Sequence, residues 1–212
     1  MCNWRLEEWG YFANIVLAAM SVFTAIVTAI VLCKQYKLQV NSYQPLFRIN
    51  YTFEDIDNDG KTETIAIHIH NDGHTMKHIS SPSIRTYFLV RQDSNYREKG
   101  HLFEIGNYYR YGSFHKNLTG IIRDGYSKKN LSKYQEIYRN VKERGSLLYK
   151  FDLIKIEYID INGFNKARYF KNSEPISKKE YNRYLAKIEN QGDIFSISQV
   201  KVDDLVSNSN NL

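Results

Sequence analysis

Cysteine is scarce in this chain, which has only Cys2 and Cys33 among its 212 residues. If the stretch between them is one helix, a rise of ~1.5 Å per residue places them ~46 Å apart. A disulfide requires Cα atoms within about 7 Å, so these two cannot pair within one chain. The residues after position 33 contain no cysteine. That absence excludes a disulfide scaffold and a cysteine nucleophile there, and it favours a reducing compartment.

Recognisable catalytic motifs are missing as well. The chain contains no G-x-S-x-G nucleophile elbow, no P-loop and no G-x-G-x-x-G after a predicted strand. These motifs activate nucleophiles or bind phosphates in many enzymes. We therefore predict a protein that is not an enzyme and that has neither catalytic residues nor a cofactor.

The chain is basic, with 29 lysines and arginines against 23 aspartates and glutamates, a net charge of +6 and an isoelectric point near 9.1. A basic balance favours acidic partners such as phosphate head groups, nucleotides or nucleic acid, although it also serves solubility. The 17 tyrosines are typical of an AT-rich genome, so they do not by themselves indicate stacking on bases.

A long apolar run near the N-terminus predicts a membrane anchor. Residues 11–33 carry no charge, and Asn14 is their only strongly polar side chain. As a helix the run would extend ~34 Å, enough to cross a bilayer core. A cleaved signal peptide would have a shorter apolar region and small residues at a cleavage site, whereas Ile-Val-Leu occupies positions 30–32. We predict a retained transmembrane helix from about Tyr11 to Leu32.

Basic residues around the predicted span indicate its orientation. Arg5 is the only one before the span, whereas Lys34, Lys37 and Arg48 follow it. Loops rich in lysine and arginine stay on the cytoplasmic side. The sequence therefore predicts an inner (plasma) membrane protein with its soluble domain in the cytoplasm. Aromatic residues that suit the opposite interface are Trp4, Trp9, Tyr11 and Phe12.

One face of the predicted span has small and polar residues, which let helix backbones approach closely. At 100° per residue, a single sector contains Asn14, Ala18, Ser21, Ala25, Thr28 and Ala29. Within it, Ser21, Ala25 and Ala29 form two overlapping small-xxx-small steps. We interpret this sector as a transmembrane association face for self-association or for pairing with another membrane protein. The alternative is that alanine and threonine, common in anchors, fall there by chance.

The rest of the chain reads mainly as β-strands. One predicted hairpin pairs 46–54 with 63–70, where isoleucines alternate with alanine and histidine as in a half-buried strand. A second pairs 147–160 with 164–170 across Asn162-Gly163, a strong hairpin turn signal. Further strands are predicted over 84–91, 101–105 and 114–122.

Two amphipathic helices interrupt the strands, at 128–144 and 176–191. The second begins with Ser177 and Glu180 in the spacing of a capping box. Many short strands with few helices predict a mainly β fold, an antiparallel β-sandwich with added helices. The predicted divisions are a transmembrane helix and stalk over 1–43, a sandwich-like domain over 44–206 and a disordered tail over 207–212.

Two segments carry a family resemblance. The stretch IAIHIHNDGHTMKHI resembles the early strands of immunoglobulin-like domains, and IKIEYIDINGFNKARYF resembles their late hairpin. With a single anchor and a polar stalk, the layout is similar to uncharacterised bacterial single-pass membrane proteins. Some of these occur in phage-defence loci, where the membrane component is a killing effector beside a sensor. The resemblance implies no catalytic residues.

Acidic and histidine side chains around the first hairpin are candidate metal ligands. Carboxylates at alternate positions resemble a calcium loop, but alanine stands where an EF-hand has its final glutamate. Two histidines at i and i+2 are able to share a zinc ion. The residues are Asp55, Asp57, Asp59, Glu63, His68 and His70. We predict a hairpin turn rather than a metal site.

The densest basic segment lies over 123–150. Lysine and arginine beside tyrosines suit a nucleotide, nucleic acid or anionic lipid, or simply a solvated helix face. The predicted basic binding patch consists of Arg123, Lys128, Lys129, Lys133, Arg139, Lys142 and Arg144.

These features predict a non-enzymatic membrane protein whose cytoplasmic β-sandwich binds a partner or signal and whose transmembrane helix self-associates. The resemblance implies a membrane-disrupting effector in anti-phage defence. The predicted partners are the lipid bilayer, a second copy or another membrane protein, and a cytosolic protein, with a nucleotide or nucleic acid as an alternative. Two alternatives to this function are a passive anchor that recruits a cytosolic enzyme and a metal-dependent enzyme that uses His68 and His70.

Overall fold

The computed structural model divides the chain into two compact units, Met1–Gln44 and Pro45–Leu212. The structure describes residues 6–42, 44–55, 60, 62–92, 100–116, 119–127, 129–189 and 194–210.

The first unit contains one continuous helix, α1, over Leu6–Ser42. Its stretch Trp9–Gln39 is long and apolar enough to cross a membrane, and every side chain in that stretch is exposed. Between Gly10 and Pro45 the sequence contains no proline or glycine that would break the helix. Pro45 then favours an end to the helix, because proline disfavours helical backbone in the residue before it. The helix accordingly passes without interruption from the apolar run into the polar stalk.

The second unit is mainly β and contains two sheets. The smaller sheet is antiparallel and has the strand order β1-β2-β7-β6. Its strands are β1 (Phe47–Glu54), β2 (Thr64–Asn71), β6 (Arg110–Phe114) and β7 (Gly120–Tyr126).

The larger sheet has the order β10-β9-β8-β4-β5-β11, with β3 also paired to β8. Its strands are β3 (His78–Ile79), β4 (Ser83–Gln92), β5 (His101–Gly106), β8 (Ser146–Ile159), β9 (Asn165–Lys171), β10 (Glu174–Ile176) and β11 (Ile194–Ser196). All described pairs are antiparallel except β5 with β11, which is parallel. The prediction of a wholly antiparallel fold is therefore wrong at this edge, because the chain reaches β11 through α3 instead of a tight turn.

Both predicted hairpins are confirmed. In the first, β1 pairs with β2 from Phe47 opposite Asn71 to Glu54 opposite Thr64. In the second, β8 pairs with β9, and Gly163 adopts the positive φ of 90° that its turn requires.

The second hairpin is closed by the carboxylate of Asp160. Its Oδ1 accepts the backbone N–H groups of Asn162 and Phe164, both at 2.9 Å, and its Oδ2 lies 2.9 Å from Lys166 Nζ. Burial alone would raise the pKa of Asp160. The ammonium and the N–H donors outweigh burial, so the pKa is lowered.

Because this pKa is lower in the folded than in the unfolded chain, the carboxylate stabilises the fold above pH ~4, the unfolded value. That contribution is lost as the pH falls through the folded pKa. We expect Asp160→Asn to lower the free energy of unfolding by about 1 kcal/mol at pH 7 and by less at pH 3. Urea unfolding at the two pH values checks this. An equal loss at both would contradict the assignment.

A continuous core joins the two sheets. Phe47 of β1 packs edge-on against Tyr158 of β8, with ring centroids 5.4 Å apart. The alternation predicted for β2 places Ile67 and Ile69 in this core with no exposed surface. Other fully buried members are Phe88, Phe103, Ile79, Ile122, Ile154 and Ile156.

The larger sheet also buries its outer face, under helix α3 (Lys178–Glu189). A second cluster contains Tyr87, Leu102, Phe151 and Leu153 of the sheet with Tyr181 of the helix. The capping box that predicted the start of α3 is supported, because Ser177 Oγ accepts the N–H of Glu180 at 3.1 Å. The helix lies within the predicted range 176–191.

Helices α2 (Asn130–Glu143) and α4 (Val202–Asn210) pack beside each other on the core. From α2, Ile137 and Val141 enter the core, and Leu205 enters it from α4. The predicted disordered tail, 207–212, starts too early, because α4 runs to Asn210 and the buried Leu205 holds it on the core. Positions 211 and 212 lie outside the described residues.

Candidate functional site

The predicted association face of α1 is fully exposed along its length. Ser21 Oγ donates to the carbonyl oxygen of Leu17, and Thr28 Oγ1 donates to that of Thr24, each at 2.8 Å. These hydroxyl protons are therefore satisfied within the helix. Their oxygens still accept hydrogen bonds, so Ser21 and Thr28 are acceptors for a neighbouring helix.

The predicted basic binding patch is distributed over separate environments. Arg123 of β7 lies over the Tyr111 ring, with its guanidinium carbon 4.2 Å from the centroid. Lys133 pairs with Glu136 at 3.0 Å within α2. These cations are engaged by neighbours in the domain.

The remaining members of the patch differ as well. Arg144, directly after α2, forms an ion pair with Asp203 of α4. Lys129, Arg139 and Lys142 are exposed, and Lys128 lies outside the described residues. A run of charge in the sequence therefore folds into a mixture of solvated and paired side chains.

The predicted metal candidates around the first hairpin have other partners. Asp55 Oδ2 accepts the N–H of Gly60 at 2.8 Å and so shapes the turn, while Glu63 is half-buried. Asp57 and Asp59 lie outside the described residues. Among the side chains that the structure describes, no three of histidine, cysteine, aspartate or glutamate converge as a metal site.

His68 takes part in a small polar cluster on the outer face of the smaller sheet. Its Nδ1 lies 2.7 Å from Asp124 Oδ1 and its Nε2 lies 3.4 Å from Thr52 Oγ1. The ring of His70 is 6.2 Å from that of His68. The aspartate therefore orients His68 across the β2–β7 pair.

Asp152 of β8 is completely buried between the two sheets. Its Oδ1 accepts the hydroxyl of Thr86 at 2.7 Å, and its Oδ2 accepts those of Tyr51 at 3.0 Å and Tyr109 at 2.9 Å. Lys150 Nζ lies 3.0 Å from the same Oδ2 and donates to Tyr109 Oη at 3.0 Å. We call these five residues the Asp152 cluster.

Burial raises the pKa of both Tyr51 and Tyr109 above the ordinary tyrosine value, and the neighbouring carboxylate raises it further. Both hydroxyls therefore remain protonated and donate to Asp152. Since the carboxylate is sealed from solvent and fully hydrogen-bonded, we interpret the cluster as a polar link between the sheets. Sequence analysis missed it because nothing in the local pattern distinguishes Asp152 from a solvated strand residue.

A pocket opens on the outer face of the larger sheet beside α3, with a volume of about 210 Å³. We call it the α3 pocket. Its apolar wall consists of Leu89, Leu102, Phe151 and Tyr184, and its charged lining consists of Arg91, Lys171, Glu180, Arg183 and Lys187. Among the described lining residues, four basic groups thus face one acidic group around an aromatic floor.

Lys171 is held at the floor of the α3 pocket. Its Nζ donates to Tyr184 Oη at 2.9 Å and lies 5.0 Å from the ring centroid of Phe151. An ammonium has three N–H donors, so this hydrogen bond leaves two of them. The position of Lys171 comes from β9 and that of Tyr184 from α3, so the pocket depends on packing of the helix on the sheet.

Gly100 forms part of the wall of the α3 pocket. A Cβ atom there would lie 2.6 Å from Leu89 Cδ1 and 2.8 Å from Arg91 Cγ, which is closer than side chains tolerate. Glycine therefore lets Leu89 and Arg91 occupy the wall. From sequence, the spacing of Glu180, Arg183 and Lys187 places them on one helix face, but the sheet residues opposite them carry no such signal.

No protein-family model matches this chain, and no curated protein matches it.

Proposed function

We propose that this is a single-pass membrane protein whose β domain binds a partner or signal and whose helix α1 associates with other transmembrane helices. One observation carries the proposal. Every side chain of Trp9–Gln39 is exposed, while the domain encloses a core that does not include α1. Such an apolar helix requires lipid or another helix around it.

We propose that α1 lies in the inner (plasma) membrane with the β domain in the cytoplasm. Lys34 and Lys37 at the C-terminal end of the apolar run support this orientation, because basic flanks remain on the cytoplasmic side. The aromatic residues Trp9 and Phe12, with rings 6.4 Å apart, suit the membrane interface at the other end of the span.

We also propose an immunoglobulin-like fold for the domain, supported by its strand order. One sheet of such a domain carries strands A, B, E and D, and the other carries G, F, C and C′. With β1, β2, β7 and β6 taken as A, B, E and D, the smaller sheet has that order. With β9, β8, β4 and β5 taken as G, F, C and C′, so does the centre of the larger sheet. The helix α2 then forms the connection between E and F.

The mechanism we propose is a change of assembly. The α3 pocket supplies a binding surface on the domain, and the small-residue face of α1 supplies a surface for a second helix. Ligation of the domain alters how its copies meet, and this shifts the population of associated helices in the membrane. The proposal requires no catalytic group.

Substitution of Ala25 by isoleucine tests the association face. We expect Ala25→Ile to weaken self-association of the full chain in lipid bilayers by about tenfold, because the added volume separates the helix backbones. Ala19→Ile is the matched control, since Ala19 lies about 120° around the helix from Ala25. Energy transfer between labelled copies measures both. Equal affinities for the two variants, or no association of the unsubstituted chain, would contradict the assignment.

A measurement of membrane potential after expression of the protein is induced distinguishes a membrane-disrupting effector from a passive anchor. Depolarisation that Ala25→Ile abolishes supports a membrane-disrupting effector, as the resemblance to phage-defence proteins implies. A stable potential with intact association, together with a stoichiometric partner on affinity purification, supports a passive anchor that recruits a cytosolic enzyme.

A further inference from the structure

We propose that the α3 pocket binds a phosphate monoester, with the phosphate on its basic groups and the attached organic part on its aromatic floor. The inference rests on the proposed function, since it names the class of ligand that the domain recognises. The predicted basic binding patch shares no residue with this pocket, and its members Lys133 and Arg144 are paired with carboxylates. In the pocket, Lys171 is hydrogen-bonded to a neutral hydroxyl and Arg91 lies over the Tyr149 ring.

The charge of the pocket selects an anion. Arg91, Lys171, Arg183 and Lys187 contribute four positive charges, and Glu180 contributes one negative charge. A phosphate monoester carries a charge of about −1.5 to −2 at neutral pH and has three acceptor oxygens. It therefore matches several cations better than a carboxylate, which carries a single charge.

The donors converge from three elements, one helix and two strands. Arg183 and Lys187 project from successive turns of α3, while Arg91 and Lys171 project from β4 and β9. The Nε of Arg91 is buried and has no hydrogen-bond partner among the residues that the structure describes. A buried donor of this kind favours an acceptor from a ligand, because an unmade hydrogen bond to a charged group is costly.

The size and walls of the pocket indicate the rest of the ligand. Its volume of about 210 Å³ is below the roughly 300–1,000 Å³ of sites for drug-sized molecules. A phosphate with part of one organic group fills such a space. The half-buried ring of Tyr184 offers a surface for a planar or apolar group, above the buried Phe151.

Other cavities carry less charge toward a ligand. A larger open groove of about 940 Å³ runs along β9 and β10, and its described lining has three basic residues, Lys166, Arg168 and Lys178, with one acidic residue, Glu157. The ammonium of Lys166 is paired with the Asp160 carboxylate at 2.9 Å. Within the Asp152 cluster, the Asp152 carboxylate is completely buried. Among described lining residues, the α3 pocket therefore has a larger excess of basic over acidic side chains than this groove.

The test uses the full chain in phosphatidylcholine nanodiscs and calorimetric titration with adenosine monophosphate, inorganic phosphate and adenosine. We expect both phosphates to bind in a salt-sensitive manner and adenosine not to bind. The double variant Arg183→Gln with Lys187→Gln, at two exposed positions, is expected to weaken adenosine monophosphate binding by at least about tenfold. Lys179→Gln, an exposed lysine of α3 outside the pocket, is the matched control and is expected to change affinity less than about twofold.

Nanodiscs that also contain phosphatidic acid distinguish a lipid source from a soluble one. A lower apparent affinity for adenosine monophosphate in these discs supports a lipid monoester as occupant, and an unchanged affinity supports a soluble one. Equal binding of adenosine, no binding of either phosphate, or an unaltered double variant would overturn the proposal. Self-association of α1 is measured without ligand. The Ala25→Ile experiment therefore tests the proposed function independently of whether the α3 pocket binds a phosphate.

Discussion

Replacement of Asp152 by alanine is expected to lower the free energy of unfolding by about 3–5 kcal/mol, since it leaves a buried ammonium without its counter-ion. The ammonium of Lys150 lies 3.0 Å from the lost carboxylate. Three hydroxyl groups, those of Tyr51, Thr86 and Tyr109, lose their acceptor at the same time.

The loss should be measured by urea unfolding followed through the near-ultraviolet circular dichroism of tyrosine. Both tryptophans, Trp4 and Trp9, precede the domain, so tryptophan fluorescence does not report on it. Asp203→Ala removes the exposed ion pair with Arg144 and is the matched control, with an expected loss below about 1 kcal/mol. If Asp152→Ala cost no more than this control, the cluster would not link the sheets.

Removal of residues 1–43 is expected to transfer the protein completely from the membrane fraction to the aqueous fraction. The domain should keep its fold, because its two buried clusters contain no residue of α1. The full chain should resist extraction by carbonate and require detergent, as expected for an apolar helix in lipid.

Fractionation and circular dichroism of the shortened chain check both parts of this prediction. A full chain that sediments only weakly, or a mature chain that begins after Cys33, would contradict the membrane anchor. A shortened chain that remains in the pellet as folded protein would indicate a second membrane contact within the domain.

Much of the fold could be predicted from local patterns. The isoleucines of β2 alternate with smaller or polar residues, and Asn162-Gly163 allows the turn after β8, so both hairpins are encoded within short segments. The apolar run and Pro45 likewise determine where α1 extends and ends. By contrast, β10 and β11 have three residues each, too few for a periodic pattern to appear.

The candidate sites were less predictable, because they depend on contacts between distant segments. The basic run over 123–144 looked like one surface, yet Arg123 stacks on Tyr111 and Arg144 pairs with Asp203. The α3 pocket combines Arg91 with Lys187, which the sequence separates widely. Only the packing of a helix over a particular sheet face brings such residues together.

The unbroken course of α1 has a mechanical consequence. Because the helix continues from its apolar stretch to Ser42 without a proline or glycine after Gly10, it resists twisting as a stiff rod does. A rotation of the span about its own axis must therefore turn the stalk by a similar angle. Torque generated where two such helices meet would be carried along α1 as far as its end at Ser42.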